Sequence, residues 1–380
     1  MDYRTNILLN LPYILYGGLG LFLVFQLYYL LFVYTRLARY KVESIRGTRT
    51  TPSVSVIICA RNEQENLKSF LPTILQQDYL NFEVIVVNDY SDDETKWILQ
   101  DFQTKYRHLK IVDIKEHVRL KHSKKFALTM GIKAAQYEHL LLTDADCQPQ
   151  GTHWLSEMAG AFTEGKELIL GYSPYFKNKG FLNKLIRFET THTAMSYLSY
   201  ALKKNTYMGV GRNLAYTKSL FFKGKGFNAH MHIKSGDDDL FVNHNATAAN
   251  VNIAIHPDAH VYSLAKDTWK SYYKQKARHA GASIAYKKKH QYMLGTQLFT
   301  AIAFYLMLIV CLTVYPSRWH FVVGAYLLRL LLQFIIFKPI YSKLAVKDIL
   351  LWLPILDLFF YFYICFNGIF NRNKKQKSWK

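Results

Sequence analysis

Val54 to Glu63 reads VSVIICARNE, an apolar run rich in β-branched residues that stops at a polar cluster. Its length and composition fit a strand buried on both faces. The apolar spacing that continues to Gln76 predicts a helix behind it. Phe82 to Val87 (FEVIVV) repeats the pattern and ends in Asn88-Asp89. Leu109 to Ile114 and His139 to Leu142 supply a third and a fourth run, with a helix predicted over Lys124 to Ala135 between them. Strands alternating with helices, uninterrupted by repeats or low-complexity sequence, predict an α/β fold on a Rossmann-like, mostly parallel sheet covered on both faces.

Ligands of such sheets bind beyond the carboxyl ends of the strands. The polar clusters lie there: Ala60 to Glu63 after the first run, Asn88 to Asp93 after the second, Thr143-Asp144-Ala145-Asp146 after the fourth. Neither GxGxxG nor GxxxxGK[ST] is present, so dinucleotide and P-loop readings lose their main support. Asp144 and Asp146 offer another way to meet phosphate charge, because two carboxylates one residue apart can share a hard divalent cation with diphosphate oxygens. Alone, such triplets are common as solvated turn acids; the ordered strand-end clusters, together with Lys124, favour the metal reading.

The remaining apolar residues gather toward the two ends. Thr5 to Thr35 contains no charge, and Leu11 to Tyr34 is long enough to cross about 30 Å of hydrocarbon as one helix. The run passes straight into Arg36, Arg39, Lys41, Arg46 and Arg49, which favours an uncleaved anchor over a signal peptide and, by the positive-inside rule, a cytoplasmic location for the region beyond Arg49. Tyr292 to Tyr315, preceded by Lys287, Lys288 and Lys289, and Trp319 to Phe337, followed by Lys338, Lys343 and Lys347, predict two more spans joined by an outer turn at Pro316-Ser317. Ile349 to Phe370 reads as a fourth span or as a re-entrant or interfacial helix pair. The second reading rests on Pro354, Asp357 and the basic tail Asn371 to Lys380. If the segment spans, Arg329 lies nine residues before Lys338 and Asp357 nine after Asp348, depths at which the two charges can pair.

Lys+Arg 48 against Asp+Glu 27 gives a net charge of +21, and much of the excess sits at the ends of the apolar segments. That is a membrane signature rather than a nucleic-acid one, for which no basic and aromatic motif is present. Cys59, Cys147, Cys311 and Cys365 are too scattered for a disulfide scaffold or a CxxC zinc module and read as reduced thiols in or facing the cytosol.

From Pro52 to Gly281 the order of motifs resembles the family 2 glycosyltransferases with the A-type nucleotide-sugar fold, in particular the membrane-attached branch related to cellulose, hyaluronan and ceramide-glucose synthases. The resemblance implies nucleotide-sugar contacts at Ala60 and Glu63, at Asp89 of Asn88-Asp89-Tyr90, where tyrosine replaces the usual glycine, and at Lys124 and Asp144. It places Mn²⁺ or Mg²⁺ on Asp146 and Asp144. Met208-Gly209-Val210-Gly211-Arg212-Asn213 is similar to the glycine turn of the acceptor side, assigning Gly209 and Gly211 there. In Ser235-Gly236-Asp237-Asp238-Asp239-Leu240 the family's Asp-x-x-Leu spacing selects Asp237 as general base and Asp238 as the alternate, with Gly236 where the family has an acid. Gln275-Lys276-Ala277-Arg278-His279 resembles the Gln-x-x-Arg-Trp signature. It implies donor contacts for Gln275 and Arg278, and His279, in place of tryptophan, on the acceptor side.

The expected organisation is an anchor at 1–35, a basic linker at 36–51, a cytoplasmic transferase domain at 52–263, an interfacial helix at 264–291, membrane segments at 292–370 and a basic tail at 371–380. Phe181 to Leu202 is read as a second interfacial helix, with a core-covering role as the alternative. The expected function is inverting, metal-dependent transfer from a nucleotide sugar, UDP-linked by resemblance, to a lipid or lipid-linked acceptor at the inner membrane of a bacterium. A processive polysaccharide synthase and a silent nucleotide-sugar sensor are the rivals.

Overall fold

The computed structural model describes residues 3–44, 52–115, 123–233, 235–279 and 281–371, without the side chains of 3–9, 278, 279 and 365–371. The described chain forms two compact units: Lys41–Lys287 with Lys343–Ala345, and a helical unit built from the N-terminal segment to Tyr40 with Lys288–Ser342 and the segment from Val346.

In the helical unit, α1 (Tyr3–Tyr28) continues through a π-helical turn, Tyr29–Tyr34, into α2 (Thr35–Arg39). The predicted anchor is thus one helical run, of which Asn10–Arg39 is long and apolar enough to cross a membrane.

The central unit carries β1 (Val54–Ala60), α3 (Gln64–Leu75), β2 (Phe82–Asp89), α4 (Thr95–Lys105), β3 (Leu109–Ile114), α5 (Lys124–Ala134) and β4 (His139–Asp144). It continues with β5 (Cys147–Pro149), α6 (Trp154–Gly160), β6 (Leu168–Leu170), α7 (Phe181–Leu202), β7 (Leu214–Thr217), α8 (Lys218–Lys223), α9 (Asp239–Asn245), β8 (Val251–Ile253), β9 (Val261–Ser263) and α10 (Trp269–His279). Seven strands form one sheet in the order β3-β2-β1-β4-β7-β6-β8, and β5 and β9 form a second. The four predicted runs are neighbours and parallel. Beyond them β7 runs antiparallel to β4 and β6, so the sheet is mixed at that edge.

Both faces of the parallel half are covered. Val54, Val56 and Ile58 join Leu67, Leu71 and Ile74 of α3 in the main core cluster. On the opposite face α5 comes so close that a Cβ on Gly131 would stand 2.8 Å from Ile57 Cγ2 and 2.9 Å from Val87 Cγ2. The register sets Ala60 beside Asn88 and Cys59 beside Asp144, which brings three strand ends and their polar loops together.

Helix α7 corrects the interfacial expectation for Phe181 to Leu202. Leu185, Phe188, Met195, Tyr197 and Leu198 are buried, and the Tyr197 hydroxyl donates to the Gly171 carbonyl at 2.7 Å. An interfacial helix would leave its apolar face open; this one covers the core. Helix α10 leaves Trp269 and Tyr273 exposed.

The helical unit resumes with α11 (Lys288–Val314), α12 (Trp319–Lys343) and α13 (Leu353–Asn371). Lys288–Val314 and Pro316–Lys343 meet the length and hydropathy of membrane spans. The last apolar segment is a 3₁₀ turn, Lys347–Trp352, followed by one helix, with Pro354 in the first turn where its missing N–H costs nothing. Arg329 and Asp357 pair as their offsets predict, with Nη1 2.9 Å from Oδ2 and both side chains buried.

Candidate active site

The strand-end loops are stitched to one another. The Asn62 N–H donates to Ser91 Oγ at 3.0 Å, the Asp92 N–H returns to Asn62 Oδ1 at 2.9 Å, and Asp93 accepts from the Gln64 and Thr95 N–H groups. Ser91-Asp92-Asp93 thereby fastens the β1 and β2 loops. Asn62 and Tyr90 both sit at positive φ, 54° and 51°. Tyr90 therefore holds a left-handed backbone that glycine would adopt more freely, at the cost of some strain.

Above these ends lies a cavity of about 560 Å³ lined by Glu63, Lys124, Asp144, Asp146, Asp237, Asp238 and Gln275, among others. Lys124 joins its two acidic sides: Nζ stands 2.8 Å from Asp144 Oδ1 and 3.2 Å from Asp237 Oδ2. Burial works against the ammonium charge, yet Asp144, Asp237 and Asp238 outweigh it and hold Lys124 well above its ordinary range.

The aspartate run divides its labour. Asp238 is the N-cap of α9: Oδ2 accepts from the Gly211 N–H at 2.7 Å and Oδ1 from the Asp239 N–H at 2.8 Å. Burial, then the neighbouring Asp237 and Asp239, push its carboxyl up to about 7. Asp239 accepts from the Leu240 N–H at 2.7 Å and from the Tyr286 hydroxyl at 2.8 Å. Asp237 faces Lys124. Gly236 has φ 85°, and a Cβ there would stand 2.5 Å from Leu240 Cδ1, so this position favours glycine over any side chain.

Other expected residues sit elsewhere. Ala60 and Asp89 are buried at their strand ends, outside the cavity lining. Gly209 and Gly211 are glycines for close approach: a Cβ on Gly209 would meet Leu214, Leu170 and Val242 at 2.9 to 3.1 Å, and one on Gly211 would meet Asp238 at 3.3 Å. The side chains of Arg278 and His279 lie outside the described residues. Gln275 Nε2 donates to the Tyr175 hydroxyl at 3.4 Å.

Asp144, Asp146 and Glu63 supply only hard oxygen donors to the cavity. Burial, reinforced by Asp144, raises the Asp146 carboxyl above its usual range, so a divalent cation fits this set chemically. Glu157, His256 and Asp258 also lie within metal-sharing reach of one another, but outside the cavity lining, where His256 Nδ1 already accepts the Asp258 N–H.

Two family models match the chain: glycosyl transferase family 2 over residues 55–223, and glycosyl transferase family group 2 over residues 140–365, more than half of it. The chain is a family 2 glycosyltransferase. This glycosyltransferase is 26% identical over 209 residues to the 4,4'-diaponeurosporenoate glycosyltransferase of Staphylococcus haemolyticus, a match covering 54% of this chain and 55% of that one. It is 36% identical over 93 residues to the poly-β-1,6-N-acetyl-D-glucosamine synthase of Staphylococcus epidermidis, covering 24% and 21%. The chain thus spans little more than half the length of the former relative and about a fifth of the latter. The mannosyltransferase PcManGT from Pyrobaculum calidifontis, solved with GDP-Man and Mn²⁺, shares the fold at a TM-score of 0.58 and 17% identity, over 90% of this chain and 99% of that one. Members of the family transfer a sugar from a nucleotide sugar, and the A-type fold of this glycosyltransferase is the one expected.

Its cavity also contains residues outside the roles expected from the motifs. Arg61, Arg212 and Lys266 line it, with Tyr175 and Glu189. Glu189 ties α10 to α7, accepting from the Tyr272 hydroxyl at 2.7 Å and pairing with Lys276 at 2.6 Å. Arg212, inside the quoted glycine turn, is the most findable: a basic residue next to a turn at the sheet's ligand edge.

Proposed function

We propose that this enzyme moves a sugar, with inversion, from a nucleoside-diphosphate donor to a lipid or lipid-linked acceptor at the cytoplasmic face of a bacterial inner membrane. The observation that carries the reading is Lys124, which links Asp144 of the Asp-Ala-Asp triplet to Asp237 within one cavity. Asp237 takes the proton of the acceptor hydroxyl as its oxygen attacks the anomeric carbon, while the bond from that carbon to the diphosphate oxygen breaks on the opposite face. Such a base contributes about 10²- to 10⁴-fold. Both oxygens of Asp238 already accept backbone N–H groups, which favours Asp237 for this role. Bound to Asp144 and Asp146, Mn²⁺ or Mg²⁺ would offset negative charge on the departing diphosphate.

A membrane acceptor is favoured by the three helices among the described residues that are long and apolar enough to span. The 4,4'-diaponeurosporenoate glycosyltransferase matches over 209 residues, while the polymer synthase matches over 93. Arg36, Arg39 and Lys41, with Lys287 to Lys289, flank the spans and favour the cytoplasmic side for the central unit.

The test is a donor panel. Purified full-length protein in detergent is mixed with Mn²⁺ or Mg²⁺ and each common nucleotide sugar, and nucleoside diphosphate release is measured with and without a membrane-lipid extract. One donor should respond to the extract, and Asp237→Asn should lose about 10²- to 10⁴-fold in kcat while still binding nucleotide. Unchanged turnover in that variant removes Asp237 as the base, and a ladder of long polymer overturns single addition.

A further inference from the structure

The mechanism leaves Arg212, a half-buried cation of the cavity, unused. Arg212 follows the glycine turn, and its backbone carbonyl accepts the hydroxyl of Thr143, the residue before Asp144, at 2.9 Å. Its guanidinium is held on two sides. Nη2 donates to the Ser173 carbonyl at 3.1 Å, and Cζ stands 4.3 Å from the centroid of the Tyr175 ring. Tyr175 is itself held, since its hydroxyl accepts from Gln275 Nε2 at 3.4 Å.

The other guanidinium nitrogen, Nη1, is buried and has no hydrogen-bond partner, although Arg212 lines the same cavity as Asp144 and Asp146. A charged donor left without an acceptor is expensive, more so than a neutral one. Of the other cations lining the cavity, Lys124 is engaged with two aspartates and Lys276 with Glu189, while Arg61 has a buried Nε without a partner. A planar guanidinium with a free edge, stiffened by an aromatic face, suits phosphate oxygens better than a flexible ammonium does.

We propose that Arg212 is a diphosphate-binding residue of the donor site, and that Gln275 acts by positioning Tyr175 against it rather than by touching the donor. The proposal rests on the nucleotide-sugar reading above and deepens it. Gln275 and Tyr175 become positioning residues for a cation some sixty residues earlier in the chain than the Gln-x-x-Arg segment.

The test is equilibrium binding by the full-length protein in detergent with Mg²⁺, using the nucleoside diphosphates UDP, GDP, ADP, CDP and dTDP and the corresponding nucleosides. For the diphosphate that the wild type binds, Arg212→Gln should weaken Kd by about 10- to 100-fold and leave nucleoside binding unchanged. Arg212→Lys should recover only part, because it restores charge without the fork. Tyr175→Phe and Gln275→Leu should each weaken diphosphate binding by a smaller, similar factor, and the double variant no further, because both break one link. Tight wild-type binding that Arg212→Gln leaves unchanged, or an equal loss for diphosphate and nucleoside, overturns this proposal alone. Wild-type protein that binds none of the five diphosphates overturns the nucleotide-sugar reading, and this one with it.

Discussion

Removing either partner of the Arg329–Asp357 pair should destabilise the helical unit far more than removing both. Arg329 Nη1 lies 2.9 Å from Asp357 Oδ2, 2.9 Å from the Tyr305 hydroxyl and 3.0 Å from Gln333 Oε1, sharing its two protons among them, while Gln333 Nε2 reaches Asp357 Oδ1 at 3.3 Å. Side-chain exposure is 3% and 1%, so neither charge has water to fall back on. Arg329→Met strands a buried carboxylate and Asp357→Leu strands a buried guanidinium, each costing about 3–5 kcal/mol. The double substitution strands no charge and replaces the pair with apolar volume, which in buried settings is near neutral. The assay is thermal unfolding of the detergent-solubilised chain, followed by tryptophan fluorescence and by size exclusion. The singles should melt well below wild type, the double should recover most of the loss, and the double-mutant cycle should give a coupling of at least about 2 kcal/mol. Exchanging the residues, Arg329→Asp with Asp357→Arg, should rescue either single reversal, because Tyr305 and Gln333 can both donate and accept. A double that loses the sum of the two singles refutes the reasoning, as does a single that melts like wild type.

Three further outcomes concern the central unit. Gly131→Ala should cost about 1–3 kcal/mol despite alanine's better helix propensity, because the new methyl meets Ile57 and Val87 inside 3 Å; a melting temperature at or above wild type contradicts this packing. Asp146→Asn should raise the Mn²⁺ or Mg²⁺ concentration for half-maximal turnover at least about tenfold, and an unshifted titration removes Asp146 from the metal set. Asp238, raised to about 7 from 3.8, is held protonated by the folded chain at pH values where the unfolded chain has released the proton. Its contribution to stability is present below about 4 and lost as pH rises through about 7. Buried His230 and His260, lowered to about 4, act with opposite sign, so the diagnostic is the difference in melting temperature between Asp238→Asn and wild type. That difference should rise in the variant's favour between pH 4 and 7, whatever constant loss the missing cap acceptor adds, and a flat difference contradicts the assignment.

The parallel half of the sheet was legible because each strand is a long β-branched run that needs no partner to be noticed. VSVIIC is structured as VSVIICA, and His139 to Leu142 extends only to Asp144. The antiparallel edge was not, because β6 and β8 have three residues and β7 four, too few for any period to show. Their position is set by neighbours: β7 is fixed by pairing with β4, not by its own pattern. In α7, tyrosines, Lys184, Arg187 and apolar residues mimic an interfacial helix, and only tertiary partners such as Gly171 for Tyr197 separate the two cases. The glycine departures visible in the sequence are also backbone statements. Tyr90 keeps a positive φ without glycine, and Gly236 takes one that no acid could adopt cheaply.

Charge is where sequence and structure speak most differently. A net +21 says that cations are plentiful, but not which of them are free to meet an anion. Lys124 reads as a donor contact from its place in the motif order, yet its ammonium is occupied by Asp144 and Asp237 and acts first as a brace between carboxylates. Lys276, inside the Gln-x-x-Arg segment, is occupied by Glu189. A cation committed to a carboxylate can greet a diphosphate only by releasing that partner, which offsets part of the binding energy. Arg212 Nη1 has no such partner to release, and the other contacts of its guanidinium are a carbonyl and a ring, not a carboxylate. Affinity for phosphate in this cavity should therefore track the free edge of the Arg212 guanidinium more closely than the number of basic residues around it.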